Sequence, residues 1–213
     1  MNNKPDRNTE NLEVMYRHQE TVKIFESKND TEIWAAFNRG DEMAFNYLFR
    51  TYTPLLFRYG CQFRVEQEMV QDAIQNLFIY LRGKRGDLSE VHSIKGYLFR
   101  SLQRELLKQI KLDKNRVRLG EIELEGLFPI QTSAESNLIV SEGAEEQFNK
   151  LKVCIDNLTP RQRQAILLLY EEGFSYKEIA EIMDFAEVKS ARKLVYRALT
   201  TLRSLMTIDQ KKK

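Results

Sequence analysis

Arg100, Arg104, Lys108 and Lys111 recur three or four residues apart just after Tyr97. In a helix that spacing sets them along one face. Such a face can hold phosphates while an aromatic ring stacks on a base. Over residues 97–118 the formal charge is +5. A second set, Lys189, Ser190, Arg192, Lys193 and Arg197, belongs to residues 189–213, whose charge is +7. Its guanidinium, ammonium and hydroxyl groups are the types that hold phosphates and guanine edges. Bond-making chemistry has no comparable support. His18 and His92 stand away from any cysteine or carboxylate pair at zinc spacing. Gly83-Lys84-Arg85-Gly86 lacks the spacing and strand-to-helix setting of a phosphate-cradling loop. No catalytic residue, metal ligand or cofactor is expected, and no enzymatic activity.

The elements that position these residues read as helices throughout. Four prolines and nine glycines in 213 residues, with long stretches of period near 3.6 and almost no strict alternation, predict an all-α chain. Two small helical domains joined by a linker are expected, the C-terminal one holding a helix-turn-helix. Residues 1–30 read as an N-terminal extension. Residues 31–118 form the first domain, with Asp41 capping its second helix. Thr53-Pro54 is expected to start a separate short helix ending near Gly60, because a first-turn proline lacks only an orphaned N–H. From residue 65 to 82, Met69, Val70, Ala73, Ile74, Leu77, Phe78 and Leu81 fall on one side, leaving Asp72, Gln75, Asn76 and Tyr80 around the other. A basic turn precedes the helix at residues 94–112. Tyr97 and Phe99 lie on different faces there, and Tyr97 is taken as the outward ring.

Residues 119–147 read as an acidic linker, since residues 121–147 carry a charge of −7 with no lysine or arginine. The second domain covers residues 148–208, followed by a basic tail at 209–213. Thr159 with Pro160 starts one helix and Gly173 ends it. Ser175, with Glu178 three residues on, forms a capping box for the next. Ile179, Ala180, Ile182 and Met183 then face inward, and after a polar turn Leu194, Val195, Ala198, Leu199 and Leu202 define the closing helix. A helical hairpin with a solvated charged face would show the same run; the charge balance and the successive caps favour DNA.

Composition adds bounds. The net charge is +2, with 42% hydrophobic and 30% charged residues, which suits a folded globular chain. Cys61 and Cys154 are far apart, so a disulfide framework is not expected. No stretch has the length of a signal-peptide core or of a membrane span, so a cytoplasmic protein without membrane insertion is expected.

Taken in order, the motifs resemble a sigma factor of the extracytoplasmic-function group of the bacterial sigma-70 family. Gly40-Asp41-Glu42-Met43-Ala44-Phe45 is similar to the family's opening pattern, and Asp72-Ala73-Ile74-Gln75-Asn76-Leu77-Phe78 to its second motif. The resemblance implies that Asp72, Gln75 and Asn76 dock on core RNA polymerase. Ile94-Lys95-Gly96-Tyr97-Leu98-Phe99-Arg100 resembles the helix that opens and reads the minus-ten promoter element, which implies that role for Tyr97, Arg100, Arg104, Lys108 and Lys111. The second domain resembles the minus-thirty-five reader, with Lys189, Ser190, Arg192, Lys193 and Arg197 on its recognition helix. Its turn, Asp184 to Lys189, is about one residue longer than the family's and lacks the usual glycine. Promoter DNA and an anti-sigma factor are further implied partners. Two other readings remain open here: a helix-turn-helix regulator that does not bind core polymerase, and a helical adaptor that binds only protein.

Overall fold

The computed structural model describes residues 24–63, 65–116 and 142–210. Among them there are helices and no strands. Most of the N-terminal extension, residues 119–141 of the linker and the last three lysines lie outside the described residues.

Helix α1 (Asp30–Asn38) begins where Asn29 and Glu32 form a reciprocal capping box. Gly40 turns the chain with φ 95°, a conformation that favours glycine. Asp41 then caps α2 (Glu42–Gly60), its carboxylate accepting from the Met43 and Ala44 amides at 2.8 and 3.2 Å. The separate helix expected at Thr53-Pro54 does not form. Pro54 lies inside the single helix α2. Ala44, Leu48, Tyr52, Leu56 and Tyr59 are all buried, so one continuous stripe spans the proline and outweighs the hydrogen bond it removes.

Helix α3 (Gln67–Gly83) crosses α2 at Gly60, where an added Cβ would run into the Val70 side chain. The loop after α3 is tied back to α1. Trp34 Nε1 donates to the Ser89 carbonyl at 2.9 Å, and the Gly86 amide donates to Asn38 Oδ1 at 2.7 Å. Helix α4 (Ile94–Arg116) is capped twice at its start: the Gly96 amide donates to Ser93 Oγ at 3.1 Å, and the Ile94 amide donates to Asp30 Oδ2 of α1 at 2.7 Å.

The second group of helices is α5 (Glu142–Asp156), α6 (Pro160–Ile166), α7 (Tyr176–Ile182) and α8 (Val188–Gln210). Thr159 and Gln162 form a capping box at α6 with Pro160 in the first turn, and Ser175 and Glu178 form another at α7. After α6 the helix widens into a π-turn over Leu167–Glu171, and Gly173 reverses it with φ 71°. The apolar residues of both groups belong to one contiguous core. Helix α4 is the joint, because it packs on α2 and α3 on one side and on α7 on the other.

Candidate nucleic-acid interface

Asp72, Gln75 and Asn76 are all exposed on α3, opposite the buried Val70, Ala73, Ile74, Leu77, Phe78 and Leu81. One turn further on, Ile79 and Tyr80 are 60% and 56% exposed. The polar face therefore runs into an uncovered apolar patch. Sequence reading passed over Ile79; the available signal was an isoleucine outside the buried stripe, since a large exposed apolar residue beside polar ones marks contact surfaces.

On α4, Tyr97 is half-buried, with its ring edge-on to Trp34 at 5.1 Å. Burial raises its phenol pKa against a hydrogen bond from Ser101 that lowers it. Phe99 is fully buried between Tyr59 and Phe174, with centroid distances of 4.7 and 5.0 Å. Of the two aromatic residues, Tyr97 thus keeps an accessible edge and Phe99 is core. Beside Trp34 a cleft of about 620 Å³ opens between α1 and the loop before α4, lined among others by Asn38, Arg39, Arg85 and Glu90.

The cations of α4 divide into two pairs. Lys108 and Lys111 are exposed, and Lys108 stands 3.8 Å from Glu105. Arg100 and Arg104 instead reach across to the second group of helices, where both donate to Asp184 Oδ1, at 3.1 and 2.8 Å. Asp184 occupies the turn between α7 and α8 with φ 52°, a left-handed conformation that favours glycine and that aspartate tolerates. The Phe185 amide closes that turn on the Ala180 carbonyl at 2.8 Å. Burial raises the Asp184 pKa, but hydrogen bonds and charge from Arg104 and Arg100 lower it further, so the carboxyl sits below its ordinary value.

Helix α8 presents Lys189, Arg192, Lys193 and Arg197 exposed and Ser190 half-buried, while Ala191, Val195, Ala198 and Leu202 are buried beneath them. The Arg192 guanidinium lies 5.3 Å from the Tyr176 ring of α7, which restricts where it points. Helices α7 and α8 thus form a packed pair whose second member turns a cationic row to solvent. That is the geometry needed to enter a major groove.

Other contacts also join the two groups of helices, none of them singled out by the sequence. The Glu172 side chain, 1% exposed, is held by Arg58 at 2.5 Å and Lys95 at 3.0 Å. Ser93 donates to Glu178 Oε1 at 2.7 Å. Gln164 donates to the Tyr59 hydroxyl at 2.8 Å and to Gln103 at 2.6 Å, and Tyr59 donates to Gln103 at 2.7 Å. These partners lie 44 to 114 residues apart in the chain, beyond the reach of any local pattern. Among the described residues no group of histidine, cysteine and carboxylate side chains is arranged to hold a metal ion, and no helix is long and apolar enough to cross a membrane.

Residues 148–202 match the family described as sigma-70, region 4. No curated protein matches the chain in sequence. Among solved structures, the chain is similar to CnrH, solved in complex with the cytosolic domain of CnrY. The identity is 19% and the TM-score 0.54, over 84% of this chain and 98% of that one. It is also similar to the sigma factor RpoE from Bartonella quintana, solved with the anti-sigma factor NepR. Here the identity is 20% and the TM-score 0.52, over 78% of this chain and 98% of that one. At these identities the likeness carries the fold.

Proposed function

We infer that this chain, a sigma factor of the sigma-70 family built on the extracytoplasmic-function fold, binds core RNA polymerase, directs it to promoters and helps open the DNA. The observation that carries this reading is the region 4 match over residues 148–202, laid on a helix pair whose outer row is Lys189, Arg192, Lys193 and Arg197. Asp72, Gln75 and Asn76 form the docking face for the polymerase, extended by Ile79 and Tyr80. Arg100, Arg104, Lys108 and Lys111 hold the backbone of the melted strand, and the exposed edge of Tyr97 contacts an unpaired base. Lys189, Ser190, Arg192, Lys193 and Arg197 read the upstream element from the major groove.

The domain limits follow the same reading: residues 31–118 dock and melt, residues 119–147 tether, and residues 148–208 read the upstream element. The protein works in the cytoplasm as a regulator without a catalytic site or cofactor. The similar RpoE was solved with an anti-sigma factor, which supports an anti-sigma partner here. Reconstitution with bacterial core polymerase and genomic DNA tests the reading. Discrete start sites that appear only when the chain is added are expected. DNA binding without any effect on initiation would overturn the reading in favour of a helix-turn-helix regulator.

A further inference from the structure

Arg192 differs from the other cations of α8. Its guanidinium carbon lies 5.3 Å from the centre of the Tyr176 ring, within the roughly 6 Å over which an aromatic face attracts a cation. Among the described residues no hydrogen bond or ion pair holds that guanidinium, and Lys189, Lys193 and Arg197 of the same row have neither an ion pair nor a ring beside them. The Tyr176 ring is itself fixed. Tyr176 opens α7 directly after Ser175, whose hydroxyl accepts from the Glu178 amide while the Glu178 carboxylate accepts from the Ser175 amide. The ring is half-buried and packs on the hydrophobic core. A capped helix start and a core contact together hold it against an exposed arginine of the next helix.

We propose that Tyr176 is a positioning residue for promoter reading, its ring aiming the Arg192 guanidinium at a guanine edge of the upstream element. A side chain outside the cationic row thereby sets which base is preferred at one position. The proposal rests on the reading of α8 given above. A carboxylate in place of the ring would take up the N–H groups that must meet guanine O6 and N7. A ring attracts the charge through its π face and leaves the donors on the far edge of the guanidinium free. It also removes side-chain freedom before DNA arrives. Immobilising one long side chain on binding costs about 2- to 10-fold in affinity, and Arg192 has given up part of that freedom beforehand. In the major groove guanine alone offers two acceptors, O6 and N7, to one planar fork. A fixed direction therefore favours guanine over the other bases rather than raising affinity for all of them.

The test offers holoenzyme, reconstituted from the full chain and core polymerase, a pool of duplexes randomised across the upstream element, and sequencing counts the enriched bases. Arg192→Ala first marks the position that Arg192 reads, as the one whose guanine preference disappears. Tyr176→Leu keeps an apolar side chain against the core. It should lower the guanine preference at that position by about 2- to 10-fold, with the other positions and the salt slope of affinity unchanged. Tyr176→Phe should retain the parent preference, since the ring remains. In the Arg192→Ala background Tyr176→Leu should change nothing further at that position, whereas a defect in packing would act in both backgrounds. Unchanged guanine preference in Tyr176→Leu, or an equal loss at every position, would overturn the positioning. So would a loss in Tyr176→Phe as large as that in Tyr176→Leu, which would assign the effect to the hydroxyl. Failure of the reading of Arg192 itself looks different: Arg192→Ala would then shift no base preference and lower only the salt slope.

Discussion

At the residue scale, exposure separates what a side chain does for the fold from what it offers a partner. Asp72 and Gln75 are exposed on α3. Their replacement by alanine should leave thermal stability within about 0.5 kcal/mol while weakening the association with core polymerase in a binding titration. Unchanged affinity would remove α3 as the docking face. Arg192 and Arg197 carry a different expectation. Alanine at either position should cost about 1–3 kcal/mol in binding to the upstream promoter element if the arginine contacts a base. It should instead lower the slope of affinity against salt by about 1 if it contacts phosphate. Arg192, already set against Tyr176, is the one expected to read a base, and titrations at several salt concentrations distinguish the two outcomes.

At the scale of elements, the helix ends were legible because a cap is a local device. Asp41, Thr159 with Pro160, and Ser175 with Glu178 each sit within three residues of the amides they satisfy. The proline in α2 misled for the same reason: its local signal is a helix start, yet the stripe from Ala44 to Tyr59 docks as one unit. The crossing of α2 and α3 was not legible either. Gly60 is buried at that crossing, and its missing Cβ is what admits Val70. Gly60→Ala should therefore destabilise the chain by about 1–3 kcal/mol through overpacking, although alanine is the better helix former. Chemical denaturation would check the sign, and a stabilised variant would show that the two helices separate freely.

At the scale of the whole molecule, two of the carboxylates that join the two groups of helices into one closed unit have lowered pKa values. Burial raises the pKa of Glu178, and bonds from the Ser175 amide, Ser93 and Ser175, with the charge of Lys95, outweigh it. Asp184, faced by Arg100 and Arg104, is lowered as well. A carboxylate lowered in the closed state stabilises that state above its ordinary pKa and loses the contribution as pH falls through the lowered value. The Ser175 bonds belong to the local cap of α7, so only the Ser93 and Lys95 contributions at Glu178, with those of Arg100 and Arg104 at Asp184, favour closure at neutral pH and weaken below the ordinary values of 4.5 and 3.8. Scattering across an acid titration should show expansion in that range before helical circular dichroism is lost. Expansion beginning near pH 6 would point to other groups.

The sequence by itself determined the helical class, most helix boundaries, the inward faces of α3 and α8 and the two basic rows, because periodicity, caps and charge act over one or two turns of chain. It also marked Phe99 and Tyr97 as lying on different faces, though only packing decided that Phe99 is core and that Tyr97 keeps one edge free. Tertiary structure alone decided the pairing of Arg100 and Arg104 with Asp184, and of Arg58 and Lys95 with Glu172. Those partners are 77 to 114 residues apart. No period or spacing encodes such a meeting, which exists only because α4 is packed by both groups of helices at once.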